Sequence, residues 1–166
     1  LVFKKINKLL RIFRLNSSIA PQTHISGDFS NQKQVLTLNI ESNKLNLFGN
    51  EIKDLKLKSN GRDNNMHIGM QTTHVKGADR ATFHRLGLEI LAQNDSIRLQ
   101  TQWNNPETAP HDYRGKIRMT AYFRELARQE GLQLKMNLHP SFFVVTDSMW
   151  SIDPTLISVK PLHIEV

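Results

Sequence analysis

The stretch VLTLNIESNKLNLFGNEIKDLKLKSNG, residues 35–61, decides the fold. Leu36, Leu38 and Ile40 occupy every second position, with Thr37 and Asn39 between them. Leu55 and Leu57 alternate in the same way with Lys56 and Lys58. A period of two belongs to a strand with one dry and one wet face, whereas a helix would repeat every three or four residues. KLNLFG follows as a further run with Leu45 and Leu47, and FGNE supplies turn residues before the next one. The alternation returns further along the chain. Met66, Ile68 and Met70 alternate with His67, Gly69 and Gln71. Leu86, Leu88 and Ile90 follow, then Ile97, Leu99, Thr101 and Trp103. Ile117, Met119, Ala121 and Phe123 form another series, and Leu132, Leu134, Met136 and Leu138 a further one. Between the runs lie SNGRDNN, KGAD, QNDS and NNPETAPHD, rich in the Asn, Asp, Gly and Pro of turns. Short connections favour antiparallel neighbours. The pattern predicts a mainly β chain, a long antiparallel meander of roughly ten or more strands. FRELARQEG, residues 123–131, contains good helix formers. It reads as a strand end plus loop, because the period of two resumes at once in LQLKMNL.

Residues 1–15, LVFKKINKLLRIFRL, differ from the rest. Val2, Ile6, Leu9, Leu10 and Phe13 recur near helical spacing, and Lys4, Lys5, Lys8, Arg11 and Arg14 fill the other positions. The reading is a basic amphipathic helix, ended by Asn16-Ser17-Ser18 and Pro21. Such a helix lies on a membrane surface or packs on the body. The expected organisation is a helix and linker over residues 1–18 and a β-repeat domain over residues 19–166. The 166 residues carry a formal charge of +7. Much of the excess sits in this helix, so the body is near neutral, which argues against a nucleic-acid-binding domain. Hydrophobic residues at 39% and charged residues at 22% suit a folded chain. Cysteine is absent, which removes disulfides, thiolate metal sites and cysteine nucleophiles together. No apolar run reaches the length of a transmembrane helix. The chain begins with Leu1, as a mature form or an excised segment would.

A meander of half-apolar strands creates one large apolar face, and a soluble chain does not leave such a face in water. Four arrangements satisfy it: a small closed barrel, a sandwich, cover by the helix, or a curled groove around something apolar. A strand of eight residues spans roughly 26 Å, enough to lie along an acyl chain.

No residue set carries catalytic chemistry. Seven histidines are present, and His67, His74 and His84 are the nearest in sequence, but their spacing matches no metal-ligand pattern. Asp147 and Asp153 flank Trp150 at expected turn or polar-face positions. Ser17, Ser18 and Ser26 lack a nucleophile-elbow setting, and no phosphate loop occurs. The aromatics fall in phase with the aliphatics, which makes them core rather than stacking platforms for nucleic acid. Trp150 is expected to anchor one end of the sheet with its ring on the apolar face. No enzyme, cofactor or metal is read.

Three stretches together resemble a known family. APQTHISGDFS (20–30) is followed by LTLNIESNKLNLFGNEIKDLKLKSNG (36–61), and GLQLKMNLHPSFFVVTDSMWSIDPTLISVKPLHIEV (131–166) closes the chain. In the last, an L-x-L run leads to Pro140-Ser141, an apolar strand, a polar turn and W-x-I-x-P. The style is similar to the β-repeat region of the TamB and AsmA-like translocation and assembly proteins. The resemblance implies an elongated, curled β-sheet, a half-barrel or groove, in a periplasmic segment of a larger protein anchored in the inner membrane. It implies work in phospholipid transport or outer-membrane protein assembly, with phospholipid acyl chains and the outer-membrane assembly machinery as partners, no nucleic acid and no catalysis. The residues it would use are those of the alternating face: Leu36, Leu38, Ile40, Leu55, Leu57, Met66, Ile68, Met70, Leu86, Leu88, Ile97, Leu99, Ile117, Met119, Leu132, Leu134 and Met136. Two other readings stay open: a compact half-barrel carrier of lipid or lipoprotein with a helix lid, and a scaffold that takes up outer-membrane strands by β-augmentation.

Overall fold

The computed structural model describes residues 17–30, 32, 34–47, 49–76, 82–105, 108–125 and 132–162. The expected N-terminal helix, with Lys4, Lys5, Lys8, Arg11 and Arg14, lies outside the described residues. The strands are β1 (Ser17–Ile19), β2 (His24–Ser30), β3 (Val35–Leu47), β4 (Asn50–Arg62), β5 (Asn65–Lys76) and β6 (Thr82–Gln93). They continue with β7 (Ser96–Asn104), β8 (Gly115–Glu125), β9 (Leu132–Leu138), β10 (Ser141–Val145), β11 (Ser148–Ile152) and β12 (Thr155–Leu162). All twelve join one sheet, every pairing is antiparallel, and consecutive strands from β2 to β9 are neighbours. Among the described residues no pairing links the β1/β2 edge to β11 or β12, so the sheet is open.

Three of its long strands are interrupted. β1 and β2 both lie along β3, β9 and β10 both lie along β8, and β11 and β12 continue the partner of the β9/β10 line. Pro21, Pro140 and Pro154 mark the three breaks, because proline has no N–H to give to a ladder. At the second break His139 and Pro140 face the single residue Arg118. The His139 amide donates to the Arg118 carbonyl at 2.9 Å, and the Arg118 guanidinium reaches the Pro140 carbonyl at 3.0 Å. Ser17 and Ser18, expected as linker, pair in β1 with Leu47 and Asn46. VLTLNI and KLNL, which read as separate runs, are one thirteen-residue strand.

In that long strand the apolar phase changes. Burial steps by two as far as Ser42, Leu55, Thr72 and Leu86, then by three to Leu45, Ile52, Val75 and Phe83. These four are cross-strand partners in one row. Asp54 and Arg85 at the step have φ of 51° and 49°, and a left-handed residue inside a strand shifts the side-chain alternation. Hydroxyls satisfy the disturbed ladder. Thr72 donates to the Lys53 carbonyl at 2.5 Å, Ser42 to the Lys44 carbonyl at 3.0 Å, and Thr73 to the Asp54 carboxylate at 2.6 Å. The kink thus crosses four strands at one level. On its polar side the His74 and His84 rings meet edge to face, with centroids 4.9 Å apart. Burial, then His74 and Arg85, hold the His84 imidazole below its ordinary pKa.

The sheet is one layer thick. Among the described residues the buried apolar side chains are Leu45, Leu55, Ala121 and Val144. A side chain with neighbours only in its own plane is covered at its flanks and open on top, so the remaining apolar positions are mostly half-buried. Trp103 lies over its cross-strand partner Gly115 and meets Phe83 edge to face at 5.7 Å. A Cβ on Gly115 would overlap the indole ring, so the glycine makes the room for the tryptophan.

Two substitutions test these features. Gly115→Ala should destabilise by about 1–3 kcal/mol through overpacking, read as a lower melting temperature with a changed tryptophan near-ultraviolet signal. Arg85→Gly, although a glycine placed in a strand, should hold or raise stability by up to about 1 kcal/mol because it relieves a left-handed residue.

Candidate functional site

Alternation and register together generate two faces of unlike chemistry. One cross-strand row runs Ile40, Leu57, Met70, Leu88, Thr101, Ile117. The next runs Leu38, Ser59, Ile68, Ile90, Leu99, Met119, Leu138. A third runs Leu36, Gly61, Met66, Ala92, Ile97, Ala121, Met136, Ile157. No charged side chain occurs in these three rows. Leu55 and Leu86 extend the same face toward the kink, and Leu134 pairs with Phe123 on it. Leu132 stands opposite Glu125 at the end of β9, and its side chain is outside the described set. The register therefore brings the residues of the sequence-predicted face together. Leu55 is 5% exposed, Leu36 is 39% exposed, and the others described are half-buried. Phe29, at 77%, and Trp150, at 60%, extend the face at opposite ends of the sheet. Trp150 stacks on Phe143, with planes 7° apart and centroids at 6.3 Å.

The opposite face is polar, and it holds the hollows. One, about 700 Å³, lies over β3 to β7 and is lined by Asn39, Lys56, Lys58, Gln71, Glu89 and Gln102 among others. A second, about 540 Å³, adjoins it and takes in His67, Arg98, Arg118 and His139. A third, about 370 Å³, includes His24, Glu41, Lys56 and Lys58. Periodicity marks both faces equally, but it does not say which one is dished.

A third feature lies at the β10–β11 turn, where Thr146 and Asp147 both have positive φ, 49° and 66°. This is the backbone of a two-residue hairpin whose twist matches its strands. The turn holds the loop before β8. Asp147 accepts from the Asp112 amide at 2.7 Å, and its second oxygen lies 2.9 Å from His111 Nδ1. Tyr113 and Thr146 share a hydrogen bond of 2.9 Å, and the Asn105 side-chain Nδ2 donates to the His111 carbonyl at 2.6 Å. The hydrogen bond from His111, then the Asp112 amide, hold the Asp147 carboxyl below its ordinary pKa. A His–Asp contact can orient a base, but among the described residues no Ser or Thr hydroxyl partners this histidine, and both side chains are exposed. The arrangement clamps a loop. Among the described residues no three His, Asp or Glu side chains could share a metal ion, and no helix is long and apolar enough to cross a membrane.

No protein family, curated protein or solved structure matches this chain.

The clamp has a testable pH signature. A depressed carboxyl pKa stabilises the fold above the ordinary carboxylate range, and that contribution is lost as the pH falls through the lowered value. Asp147→Asn should lower the melting temperature at neutral pH, and the difference from the wild-type chain should shrink on acidification. An equal difference at every pH would mean that the carboxylate charge has no part in the clamp.

Proposed function

We propose that this chain is a non-enzymatic segment of a larger periplasmic protein, anchored in the inner membrane, that serves phospholipid transport or outer-membrane protein assembly. The apolar sheet face is its working surface. It takes phospholipid acyl chains, or it packs against the rest of the larger chain. The observation that carries this reading is one charge-free face, continuous from Leu36 to Ile157, on an open single-layer sheet. A patch of this kind on a soluble protein marks a place where something apolar sits. Its half-buried leucines, isoleucines and methionines offer aliphatic contact without fixed polar anchors, which suits an acyl chain and gives little selectivity between lipids. The resemblance of residues 20–61 and 131–166 to the TamB and AsmA-like repeats supports the same reading.

A second reading has its own observation. Met149 and Leu156 are 65% and 63% exposed on β11 and β12, at the C-terminal edge of the sheet. Edge strands with large exposed apolar residues invite another strand, so the chain would act as a scaffold for outer-membrane strands. The helix-lid carrier concerns residues outside the described set.

Native mass spectrometry of the gently purified chain, followed by extraction of bound apolar molecules, separates these readings. The transport reading expects co-purified phospholipid that disappears in Leu99→Asp and Met119→Asp variants whose far-ultraviolet strand signal is intact. A lipid-free mass with a cooperative melt would sink it. Capture of an added outer-membrane strand peptide by lipid-free protein would favour the scaffold.

A further inference from the structure

The hollow over β3 to β7 lies on the face opposite the proposed lipid surface, and its floor is made of glycine. Gly69 is in the interior of β5 and Gly87 in the interior of β6. Neither has a positive φ. A Cβ built on Gly69 meets nothing within 4 Å, and one on Gly87 meets the Gln102 side chain at an ordinary 3.5 Å. Neither backbone conformation nor crowding therefore requires glycine at Gly69. Glycine in a strand interior costs roughly 0.5–1 kcal/mol relative to alanine. What the missing side chains provide is space, and that space is the hollow of about 700 Å³.

Among the described residues its lysines and side-chain amides are unpartnered. Lys56 and Lys58 flank the floor from β4, and neither makes an ion pair among the described residues, although Glu41 stands directly opposite Lys56 in the register. Arg98, in the adjoining hollow, is also without an ion pair among the described residues. The side-chain amides of Asn39, Asn60, Gln71, Gln100 and Gln102 line the same space, and none hydrogen-bonds another described group. Each amide offers donors and an acceptor together, the complement of a sugar hydroxyl. The lysines add point charges for acidic groups and outnumber the hollow's one described carboxylate, Glu89, which stands opposite Gly69 in the register. Among the described residues no Phe, Tyr or Trp lines the hollow, and nucleobases use such rings as a stacking platform.

We propose that this face binds an acidic oligosaccharide across Gly69 and Gly87, with Lys56 and Lys58 taking its carboxylate or phosphate groups and the amides its hydroxyls. The assignment is independent of the lipid reading, since it uses the other side of the sheet.

The test is titration of the full chain, followed by backbone amide NMR shifts. The probes are a galacturonate trisaccharide, a hexose phosphate, neutral maltotriose and an oligothymidylate of matched charge. Saturable shifts at residues 56–58, 69–71 and 87–89 are expected with one or both acidic sugars and not with maltotriose, and the stronger acidic probe identifies the acidic group. Lys56→Ala and Lys58→Ala should each weaken binding about tenfold. Lys76→Ala, outside the hollow, should leave it unchanged. Gly69→Thr carries the decisive arm: a β-branched residue should keep or raise the melting temperature and abolish binding. Wild-type affinity in a folded Gly69→Thr variant would overturn the proposal. So would absence of these shifts with both acidic sugars, or an oligothymidylate that binds as well as they do.

Discussion

Everything in this molecule hangs on the backbone ladder of a single antiparallel sheet. In a layered domain, two surfaces bury each other and the side chains carry much of the stability. Here strands run to thirteen residues, and among the described residues the apolar side chains have only cross-strand and diagonal neighbours to cover them. No large side chain among the described residues is fully buried. Strand order and register are therefore held by alternation, by tight turns and by hydroxyl groups that repair the ladder where it bends, rather than by a deep core. The row of kinks from Leu45 to Phe83 fits this picture: the long strands bend together, and Ser42, Thr72 and Thr73 take up the backbone groups and side chains that the bend disturbs.

The same constraint separates the two faces functionally. A side chain on one face cannot reach the other, so a one-layer sheet can carry two unrelated surfaces on the same residues' backbones. The apolar rows and the lysine- and amide-lined hollow share strands β3 to β7. Their composition differs because every one-residue step crosses the sheet. The loop clamp at Asp147 adds a third element, at the end where β8 is shared between β9 and β10.

Several of these features were legible in the order of residues and several were not. The runs around Leu36, Met66, Leu88 and Leu99 read correctly as strands with a common face, because alternation is a local property. Leu45 was harder. Its apolar neighbours and the polar SNK before it look like a new strand, and only the partner row Ile52, Val75 and Phe83 shows one strand changing phase. Arg85 carries no mark of a left-handed backbone in the sequence, and Asp54, a residue type that tolerates one, stands inside a run whose neighbours read as plain strand. Nothing in the sequence around Gly69 and Gly87 shows that the two glycines line one hollow. His111 and Asp147 stand far apart in sequence, and a hairpin turn brings them within hydrogen-bond distance.

The amino-acid order, then, dictated the mainly β character, the antiparallel succession and the segregation of apolar from polar side chains, because a strand's two-residue repeat and the dihedral demands of its turns act over a few residues. Three things needed the folded chain: whether the sheet closes, which face is hollowed, and which distant loops are clamped. They depend on how small twists, bulges and missing side chains add up across many strands, and no local window of sequence contains that sum.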